Sequence, residues 1–218
     1  MKYFILIYIC AFGLVSNAQN YEEIKHLQLS NGQLEGALRL PDSLIFTSQK
    51  LPLALIIAGS GPTDRNGNNP LMTNNSLKML AEGLAENGIA SLRYDKRGVG
   101  TSKIVAEVPP MLYALFRPSV QPYLISWFAV NPQEEIQKLK IPVLIIQGTQ
   151  DIQVGTNEAE LLHNAKPDAS KILINGMNHI LKPAGLERSK NIATYNDPNI
   201  AIDSQLIIEI SHFINSLQ

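Results

Sequence analysis

Apolar and polar positions fall into short blocks of two periods. Residues 53–58 and 141–147 are continuous apolar runs rich in leucine, isoleucine and valine, bounded by proline and glycine, as in parallel strands buried on both faces. Residues 89–93 and 171–174 are two shorter strands. Between them the period changes to that of a helix. Leu77, Leu80, Ala81 and Leu84 share one face, Asn75 or Ser76 suits the cap, and Gly88 suits a left-handed stop. Further helices are predicted over residues 156–165 and after Asp197-Pro198, where Leu206, Ile207, Ile210, Phe213, Ile214 and Leu217 form an apolar stripe. Two strands over 24–29 and 34–40 flank Asn31-Gly32, a tight hairpin turn. Residues 104–140 are rich in aromatics and prolines and read as short helices, the last opening at Asn131-Pro132. Alternating strands and helices predict an α/β protein with a mostly parallel open sheet, helices on both faces and an antiparallel hairpin at its edge.

The amino-terminal 18 residues follow another pattern. Lys2 precedes an apolar run over 4–15, closed by Ser16-Asn17-Ala18, as in a secretory signal peptide. That run is shorter than the roughly 20 residues of a membrane-spanning helix. Cleavage after Ala18 is expected, leaving residues 19–218 as a single domain, secreted or periplasmic and not inserted in a membrane. Cys10, the only cysteine, lies inside the leader. The mature chain therefore has no disulfide, thiol nucleophile or cysteine metal site. The net charge of −1, with no block of like charges, gives no sign of a nucleic-acid partner.

Asp151 stands just past one strand, and His179, in Gly176-Met177-Asn178-His179, just past the next. An acid and a histidine beyond the carboxyl ends of neighbouring parallel strands orient a general base above an open sheet. Residues 59–68 form a glycine-rich polar loop. Its Asp64-x-Asn66-x-Asn68 lacks the later glycine and glutamate of a calcium loop. Residues 98–103 lack the Gly-Lys-Ser/Thr order of a phosphate loop.

Four pieces in order, Gly59-Ser60-Gly61-Pro62, the turn Arg93-Tyr94-Asp95-Lys96-Arg97-Gly98, the strand ending in Asp151 and the loop carrying His179, resemble the α/β-hydrolase superfamily. The likeness is to its secreted esterase and peptidase-like serine hydrolases. It implies that Asp151 is the triad acid, His179 the base, and Ser60 and Gly61 part of an oxyanion loop. It also implies a small-molecule ester or amide substrate and no cofactor. The family's Gly-x-Ser-x-Gly elbow is missing, for no serine here has glycine on both sides at that spacing. At least one βαβ unit, roughly 30 residues or more, is absent between the turn and the strand of Asp151. Closing that gap would pair residues 53–58 with 141–146. Ser102, which follows a strand, is the leading replacement nucleophile, with Ser60 second. The remaining alternative is a non-catalytic binding protein that uses aromatic residues 113–128 as its recognition surface.

Overall fold

A computed structural model describes residues 21–30, 32–41, 51–59, 61–104 and 130–217. The proposed leader, the 113–128 surface, Asn31 and Ser60 lie outside them. Strand β1 (Glu22–Leu29) pairs antiparallel with β2 (Gly32–Arg39), in a register running from Glu22 opposite Arg39 to Leu29 opposite Gly32. Gly32 is thus the first residue of β2, opposite Leu29, and not part of the tight turn expected. Then follow β3 (Leu53–Ile56), α1 (Ser76–Glu86), β4 (Ala90–Tyr94) and the short β5 (Lys103–Ile104). The sheet order is β1-β2-β4-β3, with β5 beside β2. Strand β4 runs antiparallel to β2 and parallel to β3. The rest of the described chain is α2 (Pro132–Lys138), β6 (Leu144–Gly148), α3 (Thr156–Ala165), β7 (Ser170–Ile174), α4 (Arg188–Ala193), a 3-10 turn (Thr194–Asn196) and α5 (Ser204–Asn215). Strands β6 and β7 form a separate parallel pair.

Local chemistry sets the helix ends. Asn75 takes the cap position of α1 in the left-handed region, φ 55°, without a side-chain capping bond, its Oδ1 accepting from the Asn68 amide at 2.8 Å. The Asn74 side chain, one residue earlier, accepts from Ser76 N–H at 3.0 Å instead. Gly88, at φ +78°, ends that helix as its sequence predicts, and Ile89 N–H returns to the Leu84 carbonyl. Helix α5 starts later than Asp197-Pro198 suggests, because Asp203 is its cap and accepts from Gln205 N–H at 2.9 Å. Asp197 instead makes a local turn onto Asn199 N–H.

Helices α1 and α5 join the two sheets. Ile56, Ala81, Leu84 and Ile89 form one buried cluster, and Ile174, Met177, Ile202 and Leu206 another. Ile210 packs against both. Gly83 makes the approach of the two helices possible, since a Cβ there would stand 2.6 Å from Ile207.

The closure that would pair residues 53–58 with 141–146 does not occur, and the expectation that β3 is buried on both faces fails. Strand β3 is bonded to β4 and β6 to β7, so one lateral edge of each has no strand beside it among the described residues. On β3, Leu53 is 61% and Leu55 57% exposed. Ala54 and Ile56 alternate inward toward α1, while Leu53 and Leu55 lie on a face that no described helix covers. An apolar cavity of about 440 Å³, lined by Leu80, Leu144, Ile146, Ile210 and Phe213, lies between β6 and the two helices. These bare surfaces stand where a continuous sheet would carry further strands.

Truncation at a packed and at an open position will distinguish these environments. Leu206→Ala is expected to lose about 3 kcal/mol in urea unfolding, through lost burial and the cavity left behind. Leu55→Ala is expected to lose less than about 1 kcal/mol, because its side chain already faces water.

Candidate active site

Strands β6 and β7 place the two candidate residues side by side. β6 ends at Gly148, and three residues later Asp151 turns its carboxylate back under the loop that follows β7. Thr149 N–H bonds to the Ile174 carbonyl, and Gln150 N–H to that of Met177. The backbones meet so closely at Gly148 that a Cβ there would stand 2.1 Å from the Met177 carbonyl oxygen. Only glycine leaves room for this crossing.

Asp151 Oδ2 lies 2.8 Å from His179 Nδ1 and also accepts from the Gln147 amide at 2.9 Å. Its Oδ1 accepts from Gln153 N–H at 2.8 Å and from Val154 N–H at 2.9 Å. The carboxylate is 5% exposed and the imidazole 39%. Burial pushes the Asp151 carboxyl up, but the Val154 and Gln153 amides, then His179 and Gln147, outweigh it and hold the group below its ordinary value. An ionised Asp151 fixes the Nδ1–H tautomer and leaves Nε2 as the basic nitrogen. Asn178 braces the histidine loop from below. It is buried, donates to Asn191 and Thr194, and accepts from Lys182 N–H.

His179 lines a cavity of about 370 Å³ with Gln153, Gly59, Thr63, Ser76 and Leu181. The glycine loop after β3 and His179 therefore share one space, with Asp151 behind the histidine. The loop's Asp64 is a backbone organiser, with Oδ1 accepting from Asn66 and Asn68 N–H at 2.8 Å. Among the described residues no group of three or more His, Cys, Asp or Glu is placed to hold a metal ion. Gly61, at φ +81°, is exposed, and its carbonyl accepts from Lys96. The Lys96 ammonium is partly buried, which draws its pKa down.

Ser102 is placed elsewhere. Its Oγ donates to the Asp95 carbonyl at 2.8 Å and accepts from Glu35 N–H at 2.9 Å, tying the end of β4 to β2. It is 6% exposed and does not line the His179 cavity. Asp95 anchors the same corner, accepting from Arg65 N–H at 2.7 Å, the Arg65 guanidinium at 2.8 Å and Thr101 N–H at 3.1 Å. The described hydroxyls in the cavity wall are those of Thr63 and Ser76. Sequence spacing did not mark them as cavity-wall hydroxyls, because a loop position and the first residue of a helix carry no periodic signal. Gln147 in β6 and Asn178 in the Gly176–His179 motif are given no role by the sequence reading, although they hold Asp151 and the histidine loop.

Comparison with protein-family models and with curated proteins finds no match. Solved structures do match. Est1E from Butyrivibrio proteoclasticus superposes with a TM-score of 0.54 at 15% identity, over 88% of this chain and 99% of that one. Alpha/beta hydrolase domain-containing protein 10 from mouse gives 0.51 at 14%, over 90% and 100%. XC6422 from Xanthomonas campestris, described as an a/b serine hydrolase without lid, gives 0.50 at 17%, over 90% and 94%. The chain has the α/β-hydrolase fold, in a form whose sheet is divided between β3 and β6.

The crossing at Gly148 predicts that Gly148→Ala costs about 3 kcal/mol in stability and separates Asp151 from His179, seen as loss of the downfield Nδ1–H proton resonance. The acid limb is also defined. A carboxyl held below its ordinary value stabilises the fold fully above that value and ceases to do so as pH falls through the lowered one. Asp151→Asn should therefore flatten the loss of stability on acidification below about pH 4, measured by urea unfolding across pH.

Proposed function

We propose that this protein is an esterase-like hydrolase in which Asp151 and His179 act as a general-base pair on small activated carboxylic esters or amides. The observation that carries this reading is the 2.8 Å bond between them at the wall of a cavity shared with the Gly59 loop. His179 Nε2 takes a proton from water as the water oxygen attacks the carbonyl carbon. Asp151 stabilises the imidazolium, which returns the proton to the leaving oxygen or nitrogen as the acyl bond breaks. The loop of Ser60 and Gly61 is the side on which negative charge develops on the carbonyl oxygen.

Among the described residues no elbow serine stands beside this pair, and the sequence holds no Gly-x-Ser-x-Gly, so we propose that serine-dependent turnover is inefficient. In a characterised triad enzyme, loss of the nucleophilic serine alone lowers turnover by a factor on the order of 10⁶. We also propose export from the cytoplasm, supported by the leader pattern in residues 1–18. Among the described residues, no helix is long and apolar enough to cross a membrane.

Turnover of p-nitrophenyl acetate by the folded mature chain is expected to be slow and linear, without an acyl-enzyme burst. His179→Ala should lower it on the order of 10²-fold. A fluorophosphonate probe should leave the chain unlabelled. Labelling that His179→Ala abolishes would instead establish a serine nucleophile, and peptide mapping would locate it. A folded chain whose turnover ignores His179 would remove the catalytic reading.

A further inference from the structure

Two cavities meet at Leu181. It belongs both to the wall of the space of about 370 Å³ that holds His179 and to that of the space of about 440 Å³ between β6 and helices α1 and α5. The two walls differ in character. The first carries the imidazole, the side-chain amides of Asn74 and Gln153 and the hydroxyls of Thr63 and Ser76. Among the described residues the second is made only of leucine, isoleucine, methionine and phenylalanine, with Ile146, Ile210 and Phe213 prominent in it. No described Asp, Glu, Lys or Arg lines either space. Helix α1 runs along both, with Ser76 and Leu77 in the first wall and Leu80, about one turn on, in the second. The partition between them is fixed. Leu181 sits at φ +66°, a conformation that residues other than glycine seldom adopt. Its N–H donates to the Asn178 carbonyl at 3.0 Å, and its carbonyl accepts from Asp203 N–H at 2.7 Å.

We propose that the second cavity binds the hydrocarbon chain of an uncharged amphiphile whose polar end lies beside His179, with the chain passing Leu181. A wall of apolar side chains gives water no partners, and an engineered apolar cavity of about 150 Å³ already stays dry and takes up benzene. Each methylene moved into such a space from water gains the free energy of apolar transfer. A charge along the chain would shed its hydration with no described counter-charge, and the ionised Asp151 behind His179 disfavours an anionic head. The site exists because the sheet is divided: β6 has no strand on its open side among the described residues, and a strand there would occupy this space. The identity of the ligand rests on the hydrolytic reading, under which the chain is the acyl chain and the substrates are uncharged esters or amides of medium-length aliphatic acids. The binding is testable without turnover.

Titrate the mature chain with methyl butanoate, methyl hexanoate and methyl octanoate, and follow the methyl resonances of Ile146, Ile210 and Leu181 by NMR. Binding is expected to shift all three residues and to tighten about fourfold for each methylene added, the affinity ratio that corresponds to burying one methylene. Leu144→Trp, whose larger side chain fills the same space, should weaken methyl octanoate on the order of tenfold or more, with its melting transition retained. Should that variant fail to fold, the wild-type length series decides the question by itself. Affinity indifferent to chain length, absence of shifts at Ile146 and Ile210, or unweakened binding by a folded Leu144→Trp would each overturn the site. Loss of methyl octanoate binding as the protein dimerises would also overturn it, because a second copy would then be the occupant. Binding in the apolar cavity without ester turnover that depends on His179 would uphold the site and overturn the hydrolytic reading. Turnover that depends on His179 without such binding would do the reverse.

Discussion

One backbone crossing, that of Gly148 over the Met177 carbonyl, holds the site together. The space a Cβ would fill is already occupied by backbone, which cannot swing aside as a side-chain tip does. From that crossing Asp151 and the histidine loop depart in fixed directions. The Gln150 bond to Met177 and the buried Asn178 network keep them there. The 2.8 Å acid–base bond is therefore a consequence of strand pairing: β6 and β7 are parallel neighbours, and both loops leave from the same edge. Against the upward push of burial, the Val154 and Gln153 backbone amides favour the charged form of Asp151 alongside the imidazole.

The division of the sheet has a different energetic character. Helices α1 and α5 bury enough apolar surface to unite the halves, with Ile210 serving both clusters. The edges of β3 and β6 gain nothing from that packing. An edge strand with Leu53 and Leu55 exposed and no charged residue from Leu51 to Gly59 lacks the usual protection against pairing with another chain. Acid and base sit in one half and the glycine loop in the other. The packing of α5 therefore determines how well the cavity is formed, although no residue of that helix lines it.

The parts legible in the sequence are those whose signal is local. Helix α3 falls on its predicted residues, with Ala159, Leu162 and Ala165 turned toward one apolar cluster, and Gly88 stops α1 through its own backbone preference. Asp151 and His179 were legible through strand-end position combined with family resemblance. The exposure of β3 was not, since a continuous apolar run reports what a strand can bury and not whether anything is present to bury it. Ser102 was misleading for a similar reason. Its position after a strand suits a nucleophile, but its partners, the Asp95 carbonyl and Glu35 N–H, are set by tertiary pairing between β4 and β2.

The Ser102 arrangement bears on how such a site would have to acquire a nucleophile. A hydroxyl that donates to one backbone carbonyl and accepts from one backbone amide cannot leave without stranding both in a nearly dry corner. Stranding a buried polar group costs about 1–3 kcal/mol. The Asp95 carboxylate in that corner further binds Arg65 and Thr101, so movement of Ser102 would also disturb the base of the glycine loop. A water molecule needs no such rearrangement. Under the hydrolytic reading proposed above, hydrogen-bond accounting thus favours water as the attacking group over relocation of Ser102, independently of any motif.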